Sequence, residues 1–367
     1  MVLILIGTGL WVGVSLVAAL LCWCVARLRG PVRAGWWRRA GVVLAALLPV
    51  HALVLTPLTL GAVGAFLAGT RPDERGYAGP RFGPDGSWQM QSRATLEAAT
   101  QPGFAPGPHA ELRWLTTSDG VRLRAFRIRA RGAPCGVAAV LVHGLFRSAF
   151  ELETVAGILR ERGVELLLVE LRNHGGSQRS RCTLGRLEAE DVLAGVAELR
   201  ADPVAAEMPV LLFGVSLGAV AVALAAPRVG DLAGLVLDSP VTDLPATAER
   251  MLGTGGEHRP RRIALPQPFR SLTLFALEIW TGTGLDELRP LQALEQVPLP
   301  VASLVIAGAL DDRVHPDEAR RAYTALRAPE SRKEFWLVTD AGHGDAWRTE
   351  PREYAQRLER LLERIQR

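Results

Sequence analysis

Val210-Leu211-Leu212-Phe213-Gly214-Val215-Ser216-Leu217-Gly218-Ala219-Val220-Ala221-Val222-Ala223-Leu224-Ala225 is the stretch that decides how this chain folds. Pro209 to Val215 is a short apolar run of the kind that forms a strand buried on both faces. Leu217 to Ala225 is rich in strong helix formers and follows with no linker. Between them stands Gly214-Val215-Ser216-Leu217-Gly218, a G-x-S-x-G pattern. A serine in this context sits on a sharp strand-to-helix turn, and its hydroxyl projects from the sheet edge. Small residues two positions to either side let the turn close without clashes. The helix start behind Ser216 offers backbone N–H groups to a developing oxyanion.

A serine hydroxyl is a weak nucleophile near neutral pH. It needs a histidine to take its proton and a carboxylate to orient that histidine. On a strand–turn–helix scaffold of this kind the expected chain order is serine, acid, histidine. Beyond Ser216 the chain has His258, His315 and His343. His343 lies in Ala341-Gly342-His343-Gly344, a short loop after the last expected strand, where the base belongs. His315 follows too closely on the expected acid loop, and His258 falls in an irregular insertion. Gly308 to Pro316 follows the penultimate strand and holds Asp311 and Asp312. Only one of the two can face His343. Asp311 is preferred, which leaves Asp312 to cap the loop or pair with Arg313. Asp238, at the end of an earlier strand, is a weaker candidate. His143-Gly144-Leu145 follows the Val137–Val142 strand. The backbone N–H of Leu145 is expected to join that of Leu217 as an oxyanion hole, with His143 a structural brace.

Further out, Leu112 to Thr117 and Val121 to Ile128 alternate around Asp119-Gly120, the pattern of a hairpin. Strands are expected at Val137–Val142, Val164–Val169, Leu235–Asp238, Val301–Ala307 and Phe335–Thr339. Helices are expected at Phe150–Arg162, Leu187–Arg200 and Leu358–Ile365. Such alternation implies an α/β fold with a mainly parallel sheet covered by helices on both faces. Residues 241–296 break the rhythm with Gly-Thr-Gly-Gly at 253–256, a basic patch at Arg259, Arg261 and Arg262, and an apolar stretch near Leu272 to Trp280. An insertion of this length reads as a small lid.

The first seventy residues belong to another environment. Met1 to Ala26 and Ala40 to Thr70 contain no Asp, Glu, Lys or Arg, and each exceeds the roughly 20 residues a helix needs to span hydrocarbon. Two transmembrane helices are expected, about 2–26 and 41–69, with Trp36 and Trp37 at an interface. A cleaved signal peptide fits poorly, because no positive segment precedes the first run. Arg27, Arg29, Arg33, Arg38 and Arg39 lie between the spans. The positive-inside tendency puts that loop in the cytoplasm and the large C-terminal region outside it. The expected location is therefore the cell membrane, with membrane lipids contacting the N-terminal helices. The same five arginines carry the basic balance of +4 over 367 residues. Without them the chain is close to neutral, so no nucleic-acid partner is expected. Residues 71–110, rich in Gly and Pro, read as a linker with a short helix at Arg93–Thr100. Residues 111–367 form the main domain. Cys22 and Cys24 lie in the first apolar run and Cys135 and Cys182 are far apart. No pair has metal-site spacing with a histidine nearby, so no metal is expected.

Leu141-Val142-His143-Gly144, Glu170-Leu171-Arg172-Asn173-His174-Gly175-Gly176-Ser177, Gly214 to Gly218, Gly308 to Pro316 and Gly342-His343-Gly344 occur in an order that resembles the α/β-hydrolase superfamily, in its esterase, lipase and acyl-peptidase-like branch. Thr183-Leu184-Gly185 with Glu188 and Asp191 resembles a helix start of its lysophospholipase-like and peptidase-like members. The resemblance covers almost all of residues 111–367. It implies the α/β-hydrolase fold with an eight-stranded sheet, a triad of Ser216, Asp311 and His343, and a structural His174. Glu170 departs from the Asp often found at that position. The activity so implied is cleavage of a small-molecule or lipid ester, or a thioester, with no cofactor. Peptidase and acyl-transfer chemistry would use the same residues. A non-catalytic binding module is the alternative of a different class.

Overall fold

The computed structural model describes residues 80–82, 88–90, 110–253 and 284–367, with a few isolated residues between 271 and 282. The two apolar N-terminal runs, most of the linker, the Arg93–Thr100 segment, His258 and the Arg259, Arg261 and Arg262 patch lie outside them. Among the described residues no helix is long and apolar enough to cross a membrane.

Within the Gly/Pro-rich stretch, β1 (Pro80–Phe82) and β2 (Trp88–Met90) pair antiparallel. The segment read as a linker thus contains a short antiparallel strand pair.

Eight further strands form one sheet. They are β3 (Ala110–Thr116), β4 (Arg122–Ile128), β5 (Ala138–Val142), β6 (Glu165–Val169), β7 (Val210–Val215), β8 (Leu232–Asp238), β9 (Ala302–Gly308) and β10 (Lys333–Val338). Their order is β10-β9-β8-β7-β5-β6-β4-β3. β3 pairs antiparallel with β4, and β4 with β6. All other pairings are parallel. The mostly parallel sheet and its strand count match the expectation from sequence.

The helices are α1 (Glu153–Glu161), α2 (Glu188–Ala201), α3 (Leu217–Ala225), α4 (Leu244–Gly253), α5 (Pro290–Glu295), α6 (Pro316–Ala325), α7 (Ala346–Thr349) and α8 (Pro351–Gln366). They cover both faces because the central strands are apolar on both. Val210 and Leu212 of β7 pack with α2, α3 and α6, whereas Leu211, Phe213 and Val215 pack with α1 and α8. Successive side chains of a strand point to opposite faces, so a continuous apolar run serves two cores.

Five helices differ from the sequence reading. α8 begins at Pro351, about two turns before Leu358. Pro at the first helical position is pre-organised for that role, and Tyr354, Leu358, Leu361 and Leu362 bury one stripe. α4, α5, α6 and α7 were not anticipated, and of α6 only Glu318, Ala319 and Ala322 are buried.

The turn after β6 is fixed by buried ion pairs. Arg172 is fully buried and bonds Asp191 through Nε (2.9 Å) and Nη2 (2.7 Å), and Asp119 through Nη1 (2.7 Å). Glu170 takes Arg124 Nε at 2.7 Å and the Gly176 N–H at 2.6 Å. Removing one partner of such a pair typically costs about 3–5 kcal/mol, because the other charge stays buried. The departure at position 170 therefore sits in a structural network. Thr183 donates its hydroxyl to Glu188, which also accepts the amides of Thr183 and Gly185, so the segment before α2 is tied to the helix's first residue.

From β5 the chain turns to β6 on one side and then crosses to β7 on the other. The C-terminal ends of β5 and β7 flank this switch point, where open α/β sheets leave a crevice for ligands.

Candidate active site

Ser216 stands at the switch point, between the end of β7 and the start of α3. Its backbone has φ 52 and ψ −113, a conformation that side-chain-bearing residues rarely adopt and that costs about 1–3 kcal/mol. Two bonds hold it there: the Ser216 N–H donates to Asp238 O (2.9 Å) and the Val220 N–H donates to Ser216 O (3.1 Å). The flanking glycines are required by space. A Cβ on Gly214 would fall under 3.0 Å from the backbone of Gly218 and Ala219, and one on Gly218 would strike the carbonyls of Val142 and His143. The elbow is thus pressed against the end of β5.

His143 is the brace expected from sequence. It is fully buried. The Leu171 N–H donates to its Nε2 (3.1 Å), so the ring hydrogen is on Nδ1, which donates to Gly144 O (2.8 Å). Burial pushes its pKa well below the usual histidine range, so it stays neutral. His174 packs against it at 5.1 Å between ring centroids and donates from Nδ1 to Arg172 O. Neither ring is arranged to shuttle protons.

The Gly144 N–H is already taken: it donates to Glu151 Oε2 at 2.6 Å. Glu151 also lies 3.4 Å from Arg147 Nε, with its side chain 13% exposed. Burial raises its pKa, against the pull of the Gly144 amide and Arg147. A Cβ placed on Gly144 would lie 3.5 Å from Ser216 Cβ, so this loop borders the serine. Among the described residues no acceptor takes the amide of Leu145 or Leu217.

The loops after β9 and β10, which carry the candidate acid and base, meet beside the elbow. His343 Nδ1 lies 2.7 Å from Asp311 Oδ2, with the Asp311 side chain 2% and the His343 side chain 10% exposed. The other oxygen, Oδ1, accepts the amides of Arg313 and Val314, both at 2.9 Å. Asp311 therefore both faces the histidine and caps its own loop, the second task being one the sequence reading gave to Asp312. The Leu310 N–H donates to Ala341 O (2.9 Å) and the Ala309 N–H to Val338 O (2.8 Å), which ties the two loops together. Gly344, at φ 65, would place a Cβ 3.2 Å from Val215 Cγ1. The base loop is thus seated against the residue that precedes Ser216. His315 lies apart from this group. It caps α6, its Nδ1 accepting the Asp317 N–H at 3.3 Å.

Asp238 does not face His343 directly. Its oxygens accept the Ser239 hydroxyl (3.1 Å) and the Tyr354 hydroxyl (3.2 Å), and burial raises its pKa to about 7. Sequence reasoning missed Glu151, Ser239 and Tyr354 altogether. Ser239 carried a weak signal, a polar residue directly after a buried strand end. Glu151 and Tyr354 carried none, since each lies in a helical segment.

A Ser216 elbow at the switch point of this sheet, beside an Asp-His pair on the last two strand ends, defines an α/β-hydrolase architecture. The model of the alpha/beta hydrolase family matches residues 139–357, and the chain belongs to that family. An uncharacterized protein of Mycobacterium tuberculosis is 30% identical over 234 residues, which is 62% of this chain and 70% of that one. Among solved structures, an esterase of Pyrococcus furiosus superposes with a TM-score of 0.57 at 22% identity, over 72% of this chain and 95% of that one. An alpha/beta hydrolase of a Penicillium species, GrgF, does so with a TM-score of 0.53 at 18% identity, over 70% and 98%. At these identities the likeness to the two structures is one of fold.

Proposed function

We propose that this protein is a membrane-anchored serine hydrolase that cleaves a carboxylic ester or thioester through an acyl-serine intermediate. The observation that carries this reading is the 2.7 Å contact of Asp311 with His343 on a loop seated against Val215. With Nδ1 engaged by Asp311, His343 Nε2 is the nitrogen left to serve Ser216. In the proposed first half-reaction Ser216 Oγ attacks the acyl carbon and its proton passes to Nε2. The amides of Leu145 and Leu217 receive the carbonyl oxygen as it becomes an oxyanion. Collapse breaks the bond to the leaving group, which takes the proton from His343. Water then repeats the sequence on the acyl-serine, releasing the acid and restoring Ser216. Asp311 orients the imidazole and stabilises its charged form throughout.

Membrane attachment rests on the two apolar runs and the arginine-rich segment between them, and this arrangement puts the catalytic domain outside the cytoplasm. A lipid or an acylated surface molecule is the substrate class that such an anchor favours.

Labelling with a fluorophosphonate tests the chemistry, since the probe reports an activated serine whatever the substrate. Wild-type protein is expected to label and folded Ser216→Ala not to. A folded wild type that stays unlabelled removes the serine-hydrolase reading. A reporter fused after Arg367 that is active only in the cytoplasm removes the proposed orientation.

A further inference from the structure

β8 lies between β7, which delivers Ser216, and β9, which delivers Asp311. Its last residue and the next, Asp238 and Ser239, touch every part of the proposed triad's support. Asp238 O accepts the Ser216 N–H at 2.9 Å, and the Ser239 N–H donates to Ile306 O at 2.9 Å. Ser239 itself has φ 52, left-handed backbone that an L residue other than glycine rarely adopts. A glycine would fit that backbone with less strain, so the side chain is the feature to explain.

Its hydroxyl sits in a directed chain of hydrogen bonds. Tyr354 from α8 donates to one oxygen of Asp238 (3.2 Å), and the Ser239 hydroxyl donates to the other (3.1 Å). With Asp238 accepting both hydroxyls, the Ser239 hydrogen is turned towards that carboxyl. The oxygen's lone pairs are left for the Gly344 N–H, which donates to it at 3.0 Å. Gly344 is the neighbour of His343 and lies against Val215.

We propose that Ser239 is a positioning residue for the base: its hydroxyl holds the Gly344 amide and so keeps His343 aligned with Ser216. The inference rests on the Ser216–Asp311–His343 reading. Asp311 alone fixes one nitrogen of the ring, and a ring held at one atom can swing about that bond. Fixing the backbone on the other side of His343 removes the swing. Small misplacements of a reacting group lower a rate strongly, on the order of a hundredfold for 1 Å. The Tyr354–Asp238 pair extends the same support to the C-terminal helix.

The test separates the hydroxyl from the backbone strain. Ser239→Gly loses the hydroxyl but relieves the strain. Ser239→Ala loses the hydroxyl and keeps the strain. Ser239→Thr keeps the hydroxyl and, being β-branched, worsens the strain. For each full-length variant the thermal melting point, the maximal rate of fluorophosphonate labelling and the half-saturating probe concentration are measured. Gly and Ala are both expected to lower the maximal rate about tenfold or more with half-saturation unchanged. Thr is expected to label faster than Ala although it melts lower. Rates that follow melting point, with Ser239→Gly labelling as wild type, overturn the positioning role. Should Ser239→Gly fail to fold, the order of Thr and Ala decides: Ala labelling as fast as Thr overturns it. Absence of labelling in wild type, or labelling that persists in Ser216→Ala, overturns the triad reading and this inference with it. Wild-type labelling at Ser216 with an unaffected Ser239→Gly overturns this inference alone.

Discussion

Around Ser216 the chain is held by backbone pressed against backbone, whereas around His343 side-chain hydrogen bonds are added to such main-chain contacts. At the elbow, Gly214 and Gly218 have no room for a Cβ, and two main-chain bonds fix the strained serine. At the base loop, the carboxylate of Asp311 and the hydroxyl of Ser239 reach in from other strand ends. The first arrangement tolerates no substitution because a main-chain atom has nowhere to move. The second can be loosened one bond at a time, and its failures should be graded. The same fold thus relies on steric exclusion at Ser216 and adds side-chain hydrogen bonds at His343.

The harshest way to break the comparison is at the elbow. Gly218→Ala would drive a methyl into the carbonyls of Val142 and His143. A loss of about 3 kcal/mol or more is expected, with no labelling in whatever remains folded. Urea denaturation of the variant beside wild type checks this, and an unchanged midpoint would mean that the elbow is looser than its contacts indicate.

At the base loop, Asp311→Asn is expected to lower ester turnover roughly a thousandfold or more, by disturbing the orientation and charge of His343. Asp312→Asn should stay near wild type. A p-nitrophenyl ester assay of the two variants sharpens the distinction, and equal losses would show that the loop matters as a whole rather than through one carboxylate.

Glu151 belongs to the side-chain class although it lies on the nucleophile's border. Glu151→Ala leaves the Gly144 amide without its acceptor. Turnover is expected to fall about tenfold through a shift of the Leu145 amide, with KM little changed. A change in KM alone would place Glu151 in substrate binding instead.

The smallest effect concerns Asp238. Burial holds its carboxyl at about 7, above the ordinary aspartate range. Between about pH 4 and 7 the folded protein therefore keeps a proton that the unfolded chain has lost. Stability contributed by this group is full below that window and falls as pH rises through it. Asn is neutral at every pH. The melting point of Asp238→Asn relative to wild type should thus become more favourable, by about a few degrees, from pH 4.5 to pH 8. A difference that is flat with pH would show that Asp238 is ionised throughout.

The sequence by itself determined much of the alternation of strands and helices, the Ser216 elbow and the bracing role of His143. These follow from local rules. Apolar runs declare buried strands, and a glycine two residues either side of a serine declares a turn with no spare volume. The sequence reading missed α4, α5, α6 and α7 and began α8 only at Leu358, although Tyr354, Leu358, Leu361 and Leu362 lie on one stripe. The sequence preferred Asp311 over Asp312, and tertiary structure supplies the reason, since the fold of the loop turns the Asp311 carboxylate to His343 while its other oxygen takes the loop amides. Tertiary structure also decided that Glu151, Ser239 and Tyr354 join the site. Glu151 lies seven residues from its partner Gly144, Ser239 105 residues from Gly344 and Tyr354 116 from Asp238. The two long-range bonds depend on where the parallel sheet brings its strand ends together, and no local pattern of residues encodes that.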